Sequence, residues 1–225
     1  MAGEISEKKA CIVVGSSGQI ANWIVSALEE LNIAVIKISR SFVDSEIQIS
    51  SYENYDNMLS VVTTAYKSSS LISSIYYCPG IFSLSPIDAS KPLAWNNEFS
   101  VNLIGAYNCY RAIAEVTRMT KQASKLIFLG STACISKPPM LSSYSVSKAA
   151  LESLVTSINN EPPSHIRASC ARIGTCKTSF SGSLETDNII LGEDIVNFVH
   201  YIECSRLLVL PDLVSIRPIR YNLAD

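Results

Sequence analysis

No apolar run in this 225-residue chain approaches the roughly 20 residues that a bilayer-spanning helix requires, so no such helix is expected. An excess of charge of one sign is also missing. Lys and Arg total 18 against 20 Asp and Glu, a net −2, and no basic stripe interrupts the mixture. Nucleic acid and anionic membrane surfaces are therefore not expected partners. Histidine is confined to His165 and His200, and neither Cys-x-x-Cys nor His-x-x-x-His occurs, so no metal site is expected. The seven cysteines are odd in number and scattered, mostly through apolar segments, which suits reduced core thiols better than a disulfide framework. Internal repeats, low-complexity blocks and Pro/Gly-rich linkers are absent, leaving nothing to divide the chain. The first nine residues are too charged for a secretory signal, and their acidic members argue against a transit peptide; a cytoplasmic location is the expectation.

What is present is a 48% apolar content spread evenly, enough to bury one large core over residues 1–225. Short apolar runs alternate with amphipathic ones. Strands are predicted over 10–14, 34–38, 46–49, 74–77, 125–130, 166–172 and 207–210, and helices over 20–31, 52–66, 92–120, 143–159 and 193–203. That alternation predicts one α/β domain, a parallel sheet with helices on both faces.

Three constellations carry chemistry. The strand at 10–14 runs into Gly15-Ser16-Ser17-Gly18-Gln19-Ile20 and then a helix, the order a phosphate site needs. Gly15 would permit the tight turn, Gly18 would let backbone approach a pyrophosphate at the helix N-terminus, and Ala21 is small enough for helix to pack on strand. Tyr144 and Lys148 lie four apart on a predicted helix, hence on one face, where the ammonium is expected to lower the phenol's pKa toward the working range. Ser131 sits thirteen residues upstream of Tyr144, just after an apolar strand, and adds a hydroxyl. Finally, the second strand ends in Ser39-Arg40, where an acidic residue would favour NAD; neutral serine followed by a guanidinium favours NADP(H).

Together these residues resemble the short-chain dehydrogenase/reductase family over nearly the whole chain. Cys78-Pro79-Gly80 stands where that family has Asn-Ala-Gly, and Asn102 stands where its helix carries an asparagine. Ser131, Tyr144 and Lys148 match the catalytic serine, tyrosine and lysine. Ile173-Gly174 and Thr178 resemble the segment that folds over the nicotinamide, with Ile173 replacing a proline. The resemblance implies a single-domain, Rossmann-type doubly wound parallel sheet and hydride transfer between NADP(H) and a carbonyl or alcohol. Tyr144 would be the proton donor, Ser131 would hold the carbonyl oxygen, Lys148 would tune the phenol and bind the ribose, and Asn102 would support a water chain. Cys78 and Ser50 or Ser51 depart from the family pattern and point to weaker cofactor binding. Phe82, Pro138, Pro139, Met140, Leu141 and Phe180 suggest an apolar or ring-bearing substrate. A non-redox isomerase or dehydratase of the same fold, and a catalytically silent nucleotide sensor, are the alternatives. Family habit also implies a homodimer or homotetramer, pairing apolar stripes that include Ile104, Tyr107, Ile113, Leu151, Leu154 and Ile158.

Overall fold

A computed structural model describes residues 9–41, 47–161, 165–178, 189–206 and 209–218. Seven parallel strands form one sheet in the order β3-β2-β1-β4-β5-β6-β7. They are β1 (Lys9–Val14), β2 (Ala34–Ser39), β3 (Ile47–Gln48), β4 (Leu71–Tyr77), β5 (Ser124–Ser131), β6 (Ile166–Ile173) and β7 (Leu213–Ile216). The helices are α1 (Gln19–Glu30), α2 (Tyr55–Lys67), α3 (Pro92–Phe99), α4 (Gly105–Thr120), α5 (Ala133–Ser136), α6 (Ser142–Asn160) and α7 (Gly192–Cys204).

Both faces of the sheet are covered, and the period of two along each strand says by what. In β1, Ala10, Ile12 and Val14 join the core shared with α2, α4 and α6, whereas Cys11 and Val13 face the core shared with α1 and α7. The chain runs from β1 outward to β2 and β3, then returns to β4 on the other side of β1. The C-terminal ends of β1 and β4 are thus a topological switch point, where an open α/β sheet leaves a crevice.

Two sequence expectations are corrected. Among the described residues the last strand lies at Leu213–Ile216, where it pairs with β6; of the strand expected over 207–210, residues 209 and 210 form none and residues 207 and 208 lie outside the described residues. Leu210 is instead buried ahead of the strand, and its carbonyl accepts from Arg167, so its apolarity reflects core packing without a ladder. The long helix predicted over 92–120 is two helices joined by a single π-turn at Ser100–Ile104. That turn is locked from outside. The Tyr77 hydroxyl donates to the Val101 carbonyl at 2.9 Å, and Gly105 makes room, since a Cβ there would come within 2.3 Å of the same hydroxyl. Short α5, between Ser131 and Tyr144, is an addition to the predicted elements.

Candidate active site

The crevice gathers groups from the C-terminal ends of β1, β2, β4, β5 and β6 and from the first turns of α1 and α6. At the end of β1, Gly15 has φ 76°, and a Cβ on it would sit 2.9 Å from Cγ of Pro79, so both conformation and space demand glycine. Its N–H donates to the Ile38 carbonyl at 2.7 Å, tying the turn to β2, while Cys78 N–H donates to Val14 O at 2.9 Å and brings the Cys78-Pro79-Gly80 segment alongside. Gly18 differs. A Cβ there would meet nothing closer than Gly15 O at 3.6 Å, so the fold itself does not require glycine, and its absence of side chain leaves the helix start approachable. Helix α1 begins with no side-chain cap and no acid in its first turn. Bare glycine, uncapped helix and dipole together fit an anionic pyrophosphate. Ser17, Gly18 and Gln19 are exposed, Ile20 is half-buried and Ser16 is buried.

On the far side of the crevice, Ser131 ends β5. Its hydroxyl oxygen accepts from Ala133 N–H at 3.2 Å, and the hydroxyl lies near enough to the Tyr144 phenol to favour its ionised form. Lys148, one turn along α6, is buried; its Nζ donates to Leu129 O at 2.8 Å and lies 5.8 Å from the Tyr144 ring centre. A Cβ on Gly80 would stand 3.4 Å from that Nζ, so this glycine brings the β4 loop against the ammonium.

The electrostatics reverse one expectation. Burial pushes the Tyr144 phenol up to about 12, against which the Ser131 hydrogen bond pulls down, while Glu98, Cys134 and Cys176 add to the rise. Burial likewise lowers the Lys148 ammonium to about 8. The lysine does not depress the phenol here because desolvation, absent from any spacing argument, penalises both charged forms.

Asn102 lies in the π-turn. Its Nδ2 donates to Ile81 O at 2.9 Å and to Ser147 Oγ at 3.0 Å, and its Oδ1 accepts from Ile81 N–H at 2.9 Å. The amide therefore clamps the loop after β4 to α6.

The β6 end supplies Ile173 and Gly174. Gly174 N–H donates to Ile216 O at 2.8 Å, and the segment beyond it is pinned where Ile190 N–H donates to Thr175 O at 2.8 Å. Thr178 is buried, and Gln19 Nε2 donates to Lys177 O at 3.3 Å, joining this segment to the glycine turn. At the other end of the crevice, exposed Arg40 lies 5.3 Å from the Tyr52 ring centre and borders a cleft of about 520 Å³ with Gln48, Ser50 and Asn57. Ser39 is fully buried, its hydroxyl turned to the Ser41 carbonyl, so Arg40 is the more approachable of the pair. Ser50 hydrogen-bonds Asn57, and Ser51 Oγ accepts from Asn54 N–H at 3.2 Å. Burial drives the Cys78 thiol pKa up, away from thiolate chemistry.

Near Tyr144, Phe82 packs edge-on with ring centres 6.0 Å apart. Met140, at φ 66°, turns its carbonyl to Ser85 N–H at 3.0 Å, so the segments after β4 and after α5 are joined; Leu84 and Met140 are exposed there. Phe180 lies outside the described residues. Sequence reasoning missed the carboxylates and their partners. Glu152 holds Arg172 through two 2.6 Å hydrogen bonds and accepts from the Cys134 thiol at 2.8 Å. Its position four after Lys148 placed it on the same helix face, a usable signal. Glu98 carried no such signal. Among the described residues no group of three or more His, Cys, Asp or Glu side chains could hold a metal ion, and no helix is long and apolar enough to cross a membrane.

Known proteins resemble this chain in sequence and in fold. The family model described as short chain dehydrogenase matches residues 8–189. An uncharacterized oxidoreductase of Schizosaccharomyces pombe is 25% identical over 92% of this chain and 88% of its own. A vibriobactin-specific 2,3-dihydro-2,3-dihydroxybenzoate dehydrogenase of Vibrio cholerae is 29% identical over 49% of this chain and 42% of its own. Among solved structures, an alcohol dehydrogenase of Thermococcus sibiricus complexed with 5-hydroxy-NADP superposes with a TM-score of 0.81 at 17% identity, covering 94% of this chain and 97% of that one. A short chain dehydrogenase of Burkholderia cenocepacia in complex with NADP gives 0.77 at 21% identity, covering 93% and 88%. At those identities the structural likeness is one of fold.

Proposed function

Because the chain belongs to the short chain dehydrogenase family, an oxidoreductase family, we propose that it is an NADP(H)-dependent reductase or dehydrogenase. It would pass hydride between the nicotinamide and a carbonyl or alcohol of a small, apolar or ring-bearing substrate. The observation that carries this reading is the placing of the Ser131 hydroxyl at the end of β5 near the Tyr144 phenol, beside the buried Lys148 and across the crevice from the glycine turn. Bound in that crevice, the nicotinamide would supply the hydride.

The remaining chemistry belongs to the side chains. Ser131, whose oxygen accepts from Ala133 N–H, would donate its proton to the substrate oxygen. A phenol held at about 12 is almost wholly protonated near neutrality, so Tyr144 stands ready as a donor in the reductive direction. Lys148 would hold the ribose, and the Gly15–Ile20 turn the pyrophosphate. Arg40 supports the preference for a 2′-phosphate, because a guanidinium can grip it with two parallel hydrogen bonds. Phe82, Leu84 and Met140 support the apolar substrate class. A homodimer through α4 and α6 belongs to the same proposal.

NADPH consumption with a carbonyl panel tests the function, and Tyr144→Phe tests the mechanism. The variant keeps ring volume and should fold and bind NADPH while turnover falls about 10²–10⁴-fold. Retention of more than about a tenth of turnover overturns the assignment. Separately, Arg40→Ala should erase much of a preference for NADPH over NADH, costing about tenfold to a hundredfold in NADPH affinity, read by fluorescence titration.

A further inference from the structure

Glu98 is 2% exposed on α3, a helix whose other residues are half-buried or exposed. Its Oε1 accepts from the backbone N–H of Ser83 at 2.7 Å and from the Ser83 hydroxyl at 2.5 Å. Its Oε2 is enclosed and has no hydrogen-bond partner among the described residues. A buried carboxylate oxygen left unpaired costs free energy that folding alone gives no reason to spend. The residue before Ser83 is Phe82, which packs edge-on against Tyr144, and Asn102 grips Ile81 one step earlier. The carboxylate thus anchors the stretch of loop that walls the phenol, and its field acts on that phenol.

Resting on the reductase reading above, we propose that Glu98 is a positioning residue for Tyr144, seating Phe82 against the ring through Ser83 and holding the tyrosine in its protonated, donor form. The groups whose fields or hydrogen bonding act on the phenol are the Ser131 hydroxyl from β5, Glu98 from α3, the Cys134 thiol from α5 and the Cys176 thiol after β6, with the Lys148 Nζ from α6 5.8 Å from the ring centre. Of these only Glu98 brings a full negative charge. The ammonium is drawn to the Leu129 carbonyl, and the two thiols have their pKa values raised, to about 11 and about 12, chiefly by burial. Like charge disfavours the phenolate, so removing it frees the tyrosine to ionise earlier.

The test uses Glu98→Gln, which keeps an oxygen for Ser83 but loses the charge, and Ser83→Ala, which keeps the charge but loosens the anchor. The Tyr144 phenolate is followed by NMR of ring-labelled tyrosine, assigned by the signal lost in Tyr144→Phe, and this readout requires no substrate. At about pH 11 the phenolate fraction should rise at least about twofold in Glu98→Gln and stay unchanged in Ser83→Ala. With a carbonyl found in the panel, the alkaline limb of the reduction profile should move to lower pH by about half a unit in Glu98→Gln alone. Ser83→Ala should instead lower turnover with the limb in place. An unshifted phenol in a folded Glu98→Gln protein overturns the proposal, as does an equal shift in both variants. Should Glu98→Gln fail to fold, Glu98→Asp, with its charge withdrawn by one methylene, must give a smaller shift of the same sign, and no shift is again fatal. An active-site phenol that responds as described in a protein reducing no carbonyl would instead sink the reductase reading.

Discussion

At the scale of the residue, solvation overrides pairing at this site. Tyr144 and Lys148 share a helix face, yet both have their charged forms penalised, the phenol moving up to about 12 and the ammonium down to about 8. The lysine shift has a testable sign. Below about 8 the ammonium is present and favours an anionic cofactor; above it the charge is lost. NADPH affinity should therefore weaken as pH rises through that value, and Lys148→Met should bind weakly throughout with a flatter pH dependence, measured by cofactor fluorescence titration. A Lys148→Met protein whose affinity still falls through the same pH range would assign the titration elsewhere. The same rule of burial governs Glu152, where desolvation works to raise the carboxyl but the Arg172 hydrogen bonds win and hold it below its ordinary range.

At the scale of the element, the π-turn between α3 and α4 decides where Asn102 points its hydrogen bonds. An uninterrupted α-helix would advance every later residue differently around the axis, so the extra residue in the turn sets how α4 is rotated relative to α3. Tyr77 and Gly105 hold the turn as a pair. Gly105→Ala should destabilise by about 1–3 kcal/mol through overpacking against the Tyr77 hydroxyl, and Tyr77→Phe by a similar amount because the Val101 carbonyl loses its partner. The double variant should cost clearly less than the sum, since removing the hydroxyl also removes the clash. Urea midpoints of the four proteins check this, and strict additivity would show that the two residues act independently.

At the scale of the whole molecule, the proposed assembly rests on fewer residues than the sequence suggested. Ile113, Leu151 and Ile158 are fully spent in the chain's own core, and Leu154 packs against that core while partly exposed. Ile104 and Tyr107 remain exposed on the π-turn and α4, and a cleft of about 430 Å³ runs between α4 and α6, bordered by Tyr107, Tyr110, Arg118 and Leu154. That cleft offers apolar area rimmed by charge, the anatomy of an interface. Light scattering at micromolar concentration should return twice the 24.5 kDa subunit mass or a multiple of it. Tyr107→Glu combined with Leu154→Glu should shift the protein toward one subunit, and a subunit mass for the unmodified protein overturns the assembly.

Sequence by itself determined the elements and their order, because periodicity and turn chemistry are local properties of the chain. The run through Gly15 to Ile20, the strand closing at Ser131 and the four-residue step from Tyr144 to Lys148 were all legible as strand, turn and helix, and the doubly wound sheet arises from their alternation. Position along the chain also sufficed to bring Gly15, Cys78, Ser131 and Ile173 to one edge, since each closes or directly follows a parallel strand. Only the tertiary structure decided what those groups do there. The direction of the Tyr144 shift, the clamp made by Asn102, the buried carboxylate of Glu98 and the late strand at Leu213–Ile216 each depend on partners distant in the sequence. Burial and long-range hydrogen bonding exist only once the chain has closed on itself, so no spacing rule contains them.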